Sequence, residues 1–80
     1  MLTVLIRYKK TGIENLREAV EVEFYPTGSI DATPGPSIFL RNSWVDRYGT
    51  MIGPSEKGDD NWRDIFVMNS KGATVARYAL

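Results

Sequence analysis

Histidine and cysteine are both absent from this chain of eighty residues. Without cysteine there is no disulfide framework, no thiolate metal site and no thiol nucleophile. Without histidine there is no Ser-His-Asp triad and no imidazole-ligated zinc or iron. The one side chain that ordinarily changes charge near neutral pH is also missing. A lack of cysteine suits a reducing compartment without proving one. Charge of one sign is lacking too: ten Lys+Arg balance ten Asp+Glu. Residues 1–40 carry four basic and five acidic groups, and residues 41–80 carry six and five, so neither half is a basic arm or an acidic tail. Long hydrophobic runs are absent. The apolar start from Leu2 to Ile6 is far short of the ~18 residues of a membrane span. Its charges Arg7, Lys9 and Lys10 follow the apolar stretch, whereas a secretion signal has them first. The expectation is a cytosolic protein with no membrane attachment.

What remains is an ordinary globular composition, 42% hydrophobic and 25% charged, which argues against disorder. The length allows one domain, spanning residues 1–80. A domain this small buries only ~60% of the surface of its unfolded chain, so its stability is marginal.

Alternation is the strongest pattern. Val20, Val22 and Phe24 alternate with Glu21 and Glu23, and a period of two puts the two sets on opposite faces of a strand. Leu2 to Tyr8 alternates in the same way. Ile65 to Met68 is a short continuous apolar run, as in a strand covered on both sides. Ala73 to Tyr78 and Ser37 to Arg41 are further strands. Residues 13–20 read as strand or irregular turn, with a two-turn helix as the alternative, since so short a helix is marginal alone. Glycine-ended tetrapeptides separate the runs: Lys9–Gly12, Tyr25–Gly28 and Asn69–Gly72. A glycine at the fourth position takes positive φ and lets a type I turn join two strands. Three tight hairpins follow, with Phe24 facing Ile30 and Val67 facing Val75. That register sets Asp31 opposite Glu23, a like-charge pair. Either the register differs or the acidic stripe of Glu21 and Glu23 meets a basic partner. Pro34-Gly35-Pro36 breaks regular structure, and residues 53–61 read as an exposed polar loop.

Sequential hairpins with almost no helix must curl to cover one face. The predicted fold is therefore all-β: a small antiparallel meander curled into a roll or open barrel of five to seven strands. Its expected core is Val4, Ile6, Val20, Val22, Phe24, Ile30, Phe39, Ile65, Val67 and Val75.

No catalytic set emerges, and no cofactor or metal is expected. Asp59, Asp60 and Asp64 cluster near Asn61, but lack the alternate-position ligands and distal glutamate of a calcium loop. Two such carboxylates could also serve a glycosidase, but that needs a cleft an eighty-residue meander can scarcely build. Residues 49–53 lack the Gly-Lys-Ser/Thr ending of a phosphate loop. Ser70 and Lys71, adjacent on a hairpin tip, point apart.

The informative constellation is aromatic and basic: Arg41, Trp44, Arg47, Tyr48, Trp62 and Arg63. Trp, Tyr and Arg dominate interface hot spots because they bury much area and keep a polar handle. Trp44 and Trp62 serve either as core plugs or as exposed contacts. In size and texture the chain resembles the short accessory proteins of phages and other mobile elements, though no particular residue carries the likeness. The expected function is a non-catalytic module that binds a protein partner through these residues. Two alternatives stand beside it. One is a small barrel stacking aromatics on single-stranded nucleic acid, which zero net charge disfavours. The other is a self-assembling subunit paired edge to edge as a homodimer.

Overall fold

A computed structural model of the chain describes residues 1–27, 35–54 and 62–80. Seven strands form: β1 (Leu2–Tyr8), β2 (Glu14–Ala19), β3 (Glu21–Tyr25), β4 (Ser37–Arg41), β5 (Gly49–Ile52), β6 (Arg63–Met68) and β7 (Thr74–Ala79). The architecture is all-β and antiparallel, as expected, and the 13–20 segment is strand. The strands divide between two open sheets, ordered β2-β1-β6-β7 and β3-β4-β5, with no closed barrel. The larger sheet is not sequential. The chain leaves it after β2, builds the smaller sheet, and returns to lay β6 against β1.

Two of the three glycine corners are hairpins. At the second of these, Asn69 N donates to Ala73 O (2.9 Å) and Gly72 N to Asn69 O (3.0 Å). The Asn69 carboxamide oxygen accepts from Lys71 N (2.9 Å) and Ala73 N (3.1 Å), and Gly72 takes φ 84°. The corner at Lys9–Gly12 is one residue wider than a type I turn. Gly12 N reaches back to Tyr8 O, and Tyr8 N donates to Ile13 O, each at 2.8 Å. The third corner's Gly28 lies outside the described residues, as do Ile30, Asp31 and residues 55–61. The ladder of β3 runs to β4, with Phe24 opposite Ile38 and Glu23 opposite Phe39. The expected register of Glu23 with Asp31 lies outside the described residues; in the described ladder Glu21 faces Arg41.

The expected pairing of Val67 with Val75 is corrected by a bulge. Met68 pairs with Thr74, but Val67 pairs with Ala76, so Val75 is the extra residue. A bulged residue has no ladder partner, and Val75 is exposed.

The core lies where the sheets meet. Val4, Ile6, Ala19, Ile65 and Leu80 from the larger sheet and its end pack with Ile38 and Leu40 from β4. Tyr8, Val22, Ile52 and Tyr78 close around them. Val67 is also buried. Phe24 points to this face but sits on the edge strand β3. It stacks on Tyr78 at 4.9 Å between centroids and stays largely exposed. Phe39 belongs to the other face, half-buried beneath the Arg47 guanidinium, 5.6 Å from the ring centre. Val20 is half-buried at the corner between β2 and β3, where its N–H donates to Arg41 O (2.9 Å). One residue therefore carries the chain from sheet to sheet, a strand-switching corner.

Asp64 is a buried carboxylate and is fully paired. Arg77 grips it with two bonds, Nε to Oδ1 (2.9 Å) and Nη2 to Oδ2 (2.7 Å), and Lys9 Nζ lies 4.0 Å away. Hydrogen bonding to Arg77 holds its pKa below the usual carboxylate range. Of the acidic cluster noted in the sequence, this member is committed to an ion pair.

Gly49 is the most tightly enclosed of the described glycines. A Cβ there would collide with the Leu40 carbonyl oxygen and come within 2.7 Å of Phe39 Cζ. Gly12, by contrast, has φ 72° and open space around it. Gly49→Ala should cost about 2 kcal/mol or more through backbone displacement, and Gly12→Ala about 1 kcal/mol through strain alone. Urea unfolding of both variants checks the ranking; equal losses would refute the close approach at Gly49.

Candidate functional site

The candidate site is built on the β4–β5 connection, residues 42–48. Asn42 N donates to Tyr48 O (2.8 Å), closing the base of the loop as a hairpin. Inside it, two short polar side chains cap backbone donors. Ser43 Oγ accepts from Val45 N (3.1 Å), and Asp46 Oδ1 accepts from Tyr48 N (3.1 Å). These are the local side-chain turns that Ser and Asp favour.

Arg41 fills the middle of this loop. Its Nε donates to Asp46 O (3.0 Å) and its Nη2 to Trp44 O (3.2 Å), and Nη1 lies 3.7 Å from Glu21 Oε2. The guanidinium stands 5.7 Å from the Trp44 ring centre, and the side chain is only 18% exposed. Its donors are consumed by the loop and by β3. Arg47 is held from outside, to Glu23 through Nη1–Oε1 (3.3 Å) and Nη2–Oε2 (3.0 Å). The Tyr25 hydroxyl donates to the same Glu23 oxygen and accepts from Arg47 Nη2 (3.3 Å). The acidic stripe on β3 thus meets its basic partners within the chain.

The large apolar side chains of the loop have no such partners in the core. Trp44 is 65% exposed, Val45 93% and Tyr48 75%. Of the two roles open to Trp44, it takes the exposed one. Trp62 is 39% exposed, with Lys9 Nζ 5.0 Å above its ring. It stands at the start of β6 beside the first hairpin, where Lys9 N donates to Trp62 O (2.9 Å). Arg63 is half-buried and donates through Nη2 to Gly53 O.

The six residues therefore form two groups. Arg41, Trp44, Arg47 and Tyr48 gather at the Gly49 end of β5. Trp62 and Arg63 lie toward its Gly53 end, which four residues of strand place about 13 Å away. Val45 was missed in the sequence, where an isolated valine beside a tryptophan signals nothing. Comparison with protein families, with curated proteins and with solved structures finds no match.

Two outcomes follow. Arg41→Ala removes two hydrogen bonds and an ion pair from a largely covered guanidinium. It should lower stability by about 1–3 kcal/mol in urea unfolding; an unchanged midpoint would show that Arg41 does not hold the loop. Glu23 is held below the ordinary carboxylate pKa first by the Tyr25 hydroxyl and then by Arg47, and Tyr25 is raised because it donates to Glu23. A depressed carboxylate contributes above its unfolded pKa and loses that contribution as pH falls through the folded value. Carbon NMR titration of Glu23 should give a midpoint below the free value of about 4.3, and Tyr25→Phe should move it upward. A midpoint unmoved by that substitution would contradict the hydroxyl contact.

Proposed function

We propose that this chain is a non-catalytic binding module that recognises a protein partner through the β4–β5 loop. One observation carries the reading: Trp44, Val45 and Tyr48 face water from a backbone tied by Arg41, Ser43 and Asp46. Exposed apolar surface of this size costs the free protein solvation energy, about 25 cal/mol per Å². A loop ordered in advance loses less entropy on association. The contact group is Trp44, Val45 and Tyr48, flanked by Arg47; Trp62 and Arg63 belong to a separate corner. An accessory or inhibitory role in a phage or mobile element fits the size of the chain and is part of this proposal.

The nucleic-acid alternative is weaker on this loop. Glu21 and Glu23 lie against Arg41 and Arg47, so little cationic charge is left to neutralise phosphate. Edge-to-edge self-assembly has an available strand in β2, whose Leu16 is exposed. Tyr8 N donates to Ile13 O, so the outward backbone groups of β2 belong to Glu14, Leu16 and Glu18. A two-fold pairing centred on Leu16 sets Glu14 against Glu18 of the second copy, and facing like charges destabilise.

The test is affinity capture of a partner from the host cell, followed by calorimetric titration with the wild type, Trp44→Ala and Tyr48→Ala. Both variants should unfold within about 0.5 kcal/mol of the wild type, since the side chains are exposed. Each should bind at least about tenfold more weakly, as hot-spot truncations do. Wild-type affinity in both folded variants would end this reading.

A further inference from the structure

A groove of about 200 Å³ opens between the two sheets. Its apolar wall is Ile6 from β1 with Met51 and Ile52 of β5. Its polar wall includes Asn15, Thr50, Arg17 and Arg63, and among the described residues no acidic side chain lines it. Register places these residues along the groove. Asn15 stands opposite Ile6 and Arg17 opposite Val4, so both share the core face of the larger sheet but project beyond its packed part. Arg63, opposite Tyr8, closes the other end by reaching Gly53 O.

Among the described residues neither cation has a carboxylate partner. Among the described residues Arg17 has no ion pair. Arg63 has one carbonyl partner, and its Nε is buried without an acceptor. The other arginines, Arg7, Arg41, Arg47 and Arg77, each lie against a carboxylate. Among the described residues, then, four arginines are paired and two stand beside one apolar wall, a recess complementary to an anion with a hydrocarbon body. We infer that the groove binds a small organic oxyanion, its carboxylate or phosphate head toward Arg17 and its apolar body on Ile6, Met51 and Ile52. This does not rest on the partner-binding loop, which lies at the other end of β5.

Amide NMR titration of the whole chain tests it with three probes of one shape: phenyl phosphate, benzoate and the neutral benzyl alcohol. Phenyl phosphate and benzoate should give saturable shifts at Asn15, Arg17 and residues 50–53. Both anions should bind more tightly than benzyl alcohol, by about threefold or more. Arg17→Gln, an exposed change that leaves the fold intact, should weaken phenyl phosphate at least about fivefold. Stronger binding of phenyl phosphate than of benzoate assigns the head as phosphate, and the reverse as carboxylate. Benzyl alcohol binding as well as the anions, no saturable shift with either anion, or wild-type affinity in Arg17→Gln would each overturn the inference.

Discussion

Arg41 is the residue on which the arrangement of this protein turns. Its carbonyl accepts the Val20 N–H at the corner where the chain passes between sheets, and its guanidinium spans from Glu21 to the carbonyls of Trp44 and Asp46. Few side chains could do this. The planar fork offers several donors in fixed directions, while a lysine offers a single point charge. The same residue therefore fixes a sheet-switching corner and the shape of a loop that has no core to lean on.

The two sheets share a small core, and this sets what the surfaces can do. Ile38 and Leu40 meet Val4, Ile6 and Ile65 along one seam, in a body only 16 Å through its thinnest direction. A body this thin keeps most of its side chains near the surface. What the fold provides is rim: a pinned aromatic loop at one end of β5 and a cationic groove at the other. Ion pairs cover the outer faces. Arg77 and Asp64 seal one sheet, and Arg47 and Glu23 cover Phe39 on the other.

Much of the fold was legible in the sequence because it is written in short-range chemistry. Asn69 and Gly72 announce their turn by a polar acceptor and a positive φ. The β1 alternation identified Val4 and Ile6 as buried. Where reading failed, the missing information was long-range. Ile38-Phe39-Leu40 is apolar at every position, so period alone could not tell that Phe39 faces outward while its neighbours face in. The bulge at Val75 depends on how β7 lies on β6. The return of β6 to β1 is invisible until both sheets exist. The same limit governs the site. Trp44 and Tyr48 were recognisable by type, but their separation from Trp62 and Arg63 comes from the length of β5. The groove pairs Arg17 with Arg63 across strands far apart in sequence.

The claim that matters most is that the loop is ordered before any partner arrives. Nitrogen-15 relaxation of the backbone amides from Ser43 to Tyr48 addresses it directly. The account predicts order parameters matching those of β4 and β5, about 0.85, and values below about 0.6 across the loop would contradict it.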